Sequence, residues 1–421
     1  MRSIPFLVVV AAAAALLAGC APRDPLDASA EDYVRLVLAI GRHDADYVDA
    51  YYGPKAWEDA ARKGNPVPLN ELLGRARELL SRVRAAAPSD RRDFLDKQLV
   101  SVEAFLRRLS GERLTLADEA RLLYDIAPPA PRPQELEAAM ARLESLLPGE
   151  GDLATRLKAF RDKFTVPPDR LPKVAEACLA ELRRRTSAMV QLPPGESLRV
   201  SLVAGKPWGA YNWYQGNLSS LVDVNTDLPV NLVSLLGTLA HEGYPGHHTF
   251  NALVERKLVR GNGWKEYTVA PLFSPSSVIS EGTANAGIEL VMTDAERLAF
   301  ERDVLAPVAG LSGLDFEKAE EVRKAMEPLR YVSGEAARML LDEEKSETEV
   351  LAFLRRYALE DEARARKSIA FAKNYRAYEY TYTAGEDLVK AYLGNGPERT
   401  KRFFDILERP VTPSMLRSRT R

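Results

Sequence analysis

Apolar residues recur at three- and four-residue spacing over most of this chain, beginning with Tyr33, Leu36, Val37 and Ile40, and that period predicts helix. Segments of the same kind cover 69–87, 90–110, 115–127, 133–147, 152–164 and 169–190, with proline breaks at Pro128-Pro129, Pro148, Pro167-Pro168 and Pro193-Pro194. The period changes after Gly195. Leu198 to Val203 and Leu218 to Val224 are predicted strands, set on either side of the aromatic stretch Trp208 to Tyr214. Helical spacing returns from Leu232 to Val259 and, beyond a Gly- and Pro-bearing loop from Gly261 to Pro275, from Ser276 to Met292. It then continues with polar faces through 296–310, 315–343, 347–357, 361–392 and 396–408. The pattern predicts a mainly α protein with a single small β-sheet, an N-terminal helical lobe over 29–190 and a second lobe over 191–421.

The first residues break this rhythm. Arg2 is followed by an apolar run from Phe6 to Leu17, ending at Leu17-Ala18-Gly19-Cys20, which resembles the lipobox of bacterial lipoproteins. On that reading 1–19 is a signal peptide, Cys20 carries the lipid, and 20–28 is a tether; an ordinary secretion signal or uncleaved anchor is the plainer alternative. Later runs fall short of the roughly 20 apolar residues a spanning helix needs, so the expectation is a protein anchored to the membrane through Cys20. Ala21 stands where lipoproteins kept at the inner membrane usually carry aspartate. That favours a cell-envelope lipoprotein of the outer membrane, facing the periplasm or the cell surface.

Removal of the signal leaves about 400 residues, enough for a substantial core. Lys plus Arg number 58 against 60 Asp plus Glu, a formal charge of −2, which supplies no field for nucleic acid. Cys178 is the only other cysteine, so no intrachain disulfide is expected once Cys20 is lipidated.

Chemistry concentrates in one place. Three of the four histidines lie in His241-Glu242-Gly243-Tyr244-Pro245-Gly246-His247-His248, and Glu281 follows inside an apolar segment. Imidazole and carboxylate are the ligands of catalytic Zn²⁺, and a glutamate next to the first histidine is where a zinc hydrolase keeps its general base. In an unbroken helix His241 and His247 would stand about 240° and about 9 Å apart, too far to share an ion. Pro245 cannot donate a helical hydrogen bond and Gly246 tolerates unusual dihedrals, so a bulged turn is expected to bring the two imidazoles together. His248 returns to nearly the same face as His241 but about 10.5 Å along the axis, which favours His247 as the ligand and leaves His248 beside the site or facing substrate. Glu281, among Val278, Ile279 and Ala284, needs a partner for its charge, and a metal ion would supply one. Asn285 and Glu289 share its helical face and could orient a ligating histidine, although a surface position suits Glu289 equally.

The string His-Glu-x-x-Pro-Gly-His-His followed by Ser-Glu-Gly-x-Ala resembles a large uncharacterised bacterial family of zincin-like proteins, many secreted or lipidated, that is placed with the gluzincin metallopeptidases. Asp49-Ala50-Tyr51-Tyr52-Gly53-Pro54, Val224-Asn225-Thr226 and Tyr380-Thr381-Tyr382-Thr383-Ala384-Gly385 look like further family blocks. Longer relatives carry tryptophan where this chain has Thr283. The resemblance implies a zincin-like fold, His241, His247 and Glu281 as zinc ligands, Glu242 as base and Tyr382 as a hydrogen-bond donor to the reacting group. Arg376 and Tyr380 are weaker candidates for that last role. The expected activity is hydrolysis of a peptide substrate by metal-activated water, with Trp208 to Tyr214 and a strand edge lining the cleft and Asn225 near it. The alternatives are a zinc hydrolase of a non-protein or cell-wall amide and a non-catalytic zinc-binding lipoprotein.

Overall fold

Leu26–Ile40 is the first helix among the residues described by the computed structural model, which are 24–206 and 208–420. The signal segment and Cys20 lie outside the described residues. No helix among those described is long and apolar enough to cross a membrane.

The predicted helical segments are helices, and several begin at a side-chain cap. Ser89, Thr115 and Asp152 each accept a backbone N–H at the start of Asp90–Leu109, Leu116–Tyr124 and Leu153–Asp162, satisfying donors that a helix leaves unpaired. The protein is mainly α with small sheets.

Two expectations about the sheet are corrected. The aromatic stretch is itself a strand in part, and a second sheet exists. With β1 Val48–Tyr51, β2 Ser197–Val203, β3 Ala210–Tyr214, β4 Ser219–Asn225 and β5 Val269–Pro271, the sheets are β1-β5, antiparallel, and β2-β4-β3. β2 runs parallel to β4, and β3 antiparallel to it, leaving β3 at an edge. β1 and β5 were missed because each is short and makes its hydrogen bonds with a segment more than 200 residues away.

The helix expected over 361–392 is also interrupted. It runs as Glu362–Tyr375, a 3₁₀ turn Arg376–Tyr378, and Glu379–Leu393. Arg376 takes a left-handed φ of 53°, costly for a residue with a Cβ. Glu119, brought from a distant helix, accepts from Arg376 Nε at 2.6 Å, and this anchor holds the break in place.

Apolar packing ties early and late segments together. Tyr33, Val37, Leu99, Val102 and Phe105 are buried in one cluster with Phe273, Val278 and Tyr378, while Leu143 and Leu157 pack with Val322, Val350 and Ile369. Another cluster joins Val222 and Val224 of β4 to Leu232, Leu235, Leu236 and Leu239, and so fixes the helix that ends in His241.

Candidate metal centre

Leu232–Glu242 buries its leucine face and leaves His241 and Glu242 at its C-terminal end. There the chain folds back. Gly243 N–H closes the last turn on Leu239 O at 2.9 Å, Gly246 N–H reaches Ala240 O at 3.0 Å, and a new helix begins at His247. A Cβ on Gly246 would run into the carbonyl oxygens of Ala240 and His241, so this close return needs glycine. The result is the expected break between the histidines: their Nε2 atoms stand 3.0 Å apart, with the rings nearly perpendicular.

Glu281 enters from Pro275–Val291, with Oε2 at 3.3 Å from His241 Nε2 and 3.7 Å from His247 Nε2. Neighbours on the same helix orient the imidazoles. Asn285 gives its amide N–H to Tyr382 O at 3.2 Å, which leaves Oδ1 facing His241 Nδ1 at 2.8 Å. An amide oxygen only accepts, so His241 carries a proton on Nδ1, which leaves Nε2 as the nitrogen that faces His247 and Glu281. Ser280 Oγ stands 3.0 Å from His247 Nδ1 in the corresponding position. From the 3₁₀ turn, Tyr378 donates its hydroxyl to Glu281 Oε1 at 3.0 Å.

That last contact depends on how two helices cross. A Cβ on Gly282 would strike the backbone of Gly385, and one on Gly385 would strike Val278 O and approach the backbone of Gly282. Two facing glycines thus let Pro275–Val291 and Glu379–Leu393 touch main chain to main chain.

The electrostatics follow. Burial by itself would raise the Glu281 carboxyl, but the His247 and His241 imidazoles outweigh it and hold the group well below the usual carboxylate range. Burial would lower His241, yet Glu281 and Glu242 push it up to about 9. Glu281 Oε2 is buried and has no hydrogen-bond partner. Ligands at about 2.0–2.1 Å on a tetrahedral ion stand about 3.3 Å from one another, close to the separations of these three atoms. The donor set and the orphaned oxygen therefore fit a divalent cation of the zinc type. Glu242 is a second carboxylate within reach: it forms with His241 and His247 a group whose ligand atoms all lie within 4.8 Å of one another.

Other sequence-predicted residues fall on either side of this centre. Tyr382 lines the same cleft as His241, Glu242 and Asn285, with its ring edge-on to Tyr378. Burial and the neighbouring Glu281 hold its hydroxyl well above the ordinary range. His248 faces away from the cleft and is fully buried, its Nδ1 at 2.8 Å from Ser220 Oγ and its Nε2 at 2.8 Å from Glu196 Oε2. Burial would raise Glu196, but hydrogen bonds from His248, Tyr244 and Arg183 bring it down to about 2, so this is a strut between the second histidine helix and β4. Glu289 pairs with Lys390 at 2.6 Å and Arg399 at 3.3 Å on the surface. Asn225 holds the aromatic segment through Lys206 O and Trp208 O, while Arg376 and Tyr380 are engaged with Glu119 and Gly334 O.

Sequence reasoning missed Ser280, Tyr378 and Asp49. Ser280 directly precedes Glu281 and Tyr378 lies one helical turn before Tyr382, so both were within reach of the pattern. Asp49, in β1, accepts a hydrogen bond from Tyr211 and lies where His247, Glu281 and Glu242 act on its charge. Burial raises its carboxyl above the ordinary value.

No protein-family model and no curated protein matches this chain. Among solved structures it is similar to a candidate lipoprotein from Colwellia psychrerythraea, with 14% identity and a TM-score of 0.50 over 83% of this chain. The match spans 65% of that protein's length, just under two thirds. A candidate lipoprotein of unknown function from Shewanella oneidensis matches with 12% identity and a TM-score of 0.48, over 86% of this chain and 75% of that one. An M32 carboxypeptidase from Deinococcus radiodurans R1 matches with 13% identity and a TM-score of 0.38, over 94% of this chain and 93% of that one. At these identities the first likeness is one of fold, and the lower scores carry no argument.

Proposed function

We propose that this protein is a zinc-dependent metallopeptidase of zincin-like fold, held at the cell envelope by a lipid on Cys20. The observation that carries the reading is the convergence of His241 Nε2, His247 Nε2 and Glu281 Oε2, with a second, cleft-facing carboxylate, Glu242, beside them. His241, His247 and Glu281 would hold the ion. Zinc in such a site supplies Lewis acidity, making water acidic enough to lose a proton near neutral pH and drawing charge from a carbonyl.

The chain's own residues do the rest. Glu242 takes the proton of the attacking water and returns it to the departing amine. Tyr382 lines the cleft wall and would donate a hydrogen bond to the oxygen that gains charge. Asn285 and Ser280 keep the imidazoles in register, and Tyr378 fixes the rotamer of Glu281. The free edge of β3 lies against the metal helix, joined to it by Asn212 Nδ2 donating to Glu242 O at 2.5 Å, and offers main-chain groups to an extended peptide.

The same carboxylate supports a second reading. Because Glu242 lies within reach of both histidines, it could close the shell as a fourth ligand, giving a zinc-binding protein without hydrolysis. Glu242→Gln separates the two. In a peptidase the variant loses cleavage of a peptide mixture while zinc, measured by elemental analysis, stays near one equivalent per chain. Loss of zinc together with an inactive wild type would establish the closed shell, and undiminished cleavage would remove the role given to Glu242.

A further inference from the structure

A cleft of about 1900 Å³ opens in front of His241 and Glu242, larger than the 300–1,000 Å³ typical of small-molecule pockets and suited to an extended ligand. Most carboxylates on its wall are engaged by the protein itself. Glu144, Asp162 and Glu362 pair with Arg156, Lys158 and Arg366. Asp152, Asp227 and Asp361 accept backbone amides, and Glu360 accepts from the Ser368 hydroxyl at 3.1 and 3.0 Å. Two cleft carboxylates are left with no ion pair and no close hydrogen bond among the described residues. One is Glu242, already given the role of base, and the other is Glu379.

Contacts on both sides fix where Glu379 stands. Tyr378, the residue before it, donates to Glu281 Oε1 at 3.0 Å, and Tyr382, three residues after it, accepts at its carbonyl from Asn285 Nδ2 at 3.2 Å. Thr381 Oγ1 donates to Tyr378 O at 2.7 Å and ties the turn together. Glu379 is thus held within one helical turn, about 5.4 Å along the axis, of two residues bonded to the helix that carries Glu281. Three residues apart on a helix is the same face, and Glu379 and Tyr382 both line the cleft. The Ser333 hydroxyl, on the same wall, is the one neighbour that favours the charged form of Glu379. Burial pushes the carboxyl up to about 7, and the other charge that acts on it, Glu360, has the same sign. A carboxylate placed so is costly until a cation meets it.

We propose that Glu379 is a cation subsite in the wall of the cleft, one helical turn from Tyr382, so that the ligand of this site is a peptide presenting an ammonium or guanidinium group there. The idea builds on the peptidase reading, but its test needs no turnover. Four hexapeptide amides would be titrated calorimetrically into the zinc-saturated full chain carrying Glu242→Gln, which consumes no peptide: an alanine peptide with a lysine and the same peptide with a glutamine, each with a free or an acetylated N-terminus. The expected result is roughly tenfold tighter binding of a cationic peptide than of the acetylated glutamine peptide, a margin that shrinks with added salt.

When Glu379→Gln is added, that margin disappears, while affinity for the acetylated glutamine peptide does not fall. A margin carried by the free N-terminus alone makes the chain end the seated cation; one that persists in the acetylated lysine peptide makes it a side chain. Equal affinity for all four peptides, or a margin that survives Glu379→Gln, would overturn the subsite. No ion pair of the fold rests on Glu379 among the described residues, so the thermal midpoint of the variant should be no lower than that of its parent. A margin present where the wild type cleaves nothing would count against the peptidase reading alone. Cleavage by the wild type without a margin would count against the subsite alone.

Discussion

At the scale of single residues, His241, His247 and Glu281 are each held by a neighbour that does not itself point at their common centre. Tyr378 is the instructive case, because its hydroxyl satisfies Glu281 Oε1 and so leaves Oε2 free to face the two imidazoles. Removing a partner of this kind typically weakens metal binding by about 10–100-fold while leaving the ligands themselves in place. Tyr378→Phe should therefore keep the far-UV spectrum of the wild type and lose about tenfold or more in zinc affinity, read by competition with a chelating dye. Unchanged affinity would mean that Glu281 holds its rotamer without the tyrosine. His248 makes the opposite point. It was a reasonable rival for His247 by helical angle, and the structure places it in a dry strut with Glu196 and Ser220 because the chain reverses at Gly246.

At the scale of elements, the centre depends on a helix crossing closer than side chains allow. Gly282 and Gly385 face one another across it, and a methyl group on either meets backbone. Gly282→Ala should cost roughly 1–3 kcal/mol from overpacking, more than the gain in helix propensity returns. Gly74, in the helix Leu69–Ala85, has nothing near its Cβ position, and Gly74→Ala should stabilise by about 0.5–1 kcal/mol. Denaturant midpoints of the two variants check the contrast, and two stabilising alanines would show that the crossing has room. The local half of this arrangement was legible in the sequence. Period and proline located the helices, and Pro245-Gly246 located the break between the histidines, since both signals act within a few residues. What could not be read depends on contacts between distant segments. β1 and β5 exist through each other, and the 3₁₀ turn that aims Tyr378 is pinned by Glu119 from far upstream.

At the scale of the whole molecule, the centre joins the histidine turn, the Glu281 helix and the tyrosine turn, so an ion bound there cross-links parts of the fold that local structure leaves independent. Binding to the folded state and not to the unfolded chain adds stability by mass action, and chelation removes it. The size of that increment should depend on pH in a definite sense. His241 is pushed from 6.5 up to about 9 in the folded chain, so its protonated form stabilises the metal-free protein fully below 6.5 and ceases to do so as pH rises through about 9. Glu281 is depressed below 4.5, so its contribution is present above 4.5 and lost as pH falls. A zinc ion must displace the proton on His241, and that competition eases as pH approaches 9. The two effects combine between about pH 5 and about pH 9: zinc gains affinity throughout, and above 6.5 the metal-free protein also loses the help of its proton. The gap in thermal midpoint between zinc-saturated and chelator-treated protein should therefore widen steadily over that range. A gap that stays constant would mean that the ion, if it binds at all, binds without displacing that proton, and His241 would have to be given up as a ligand.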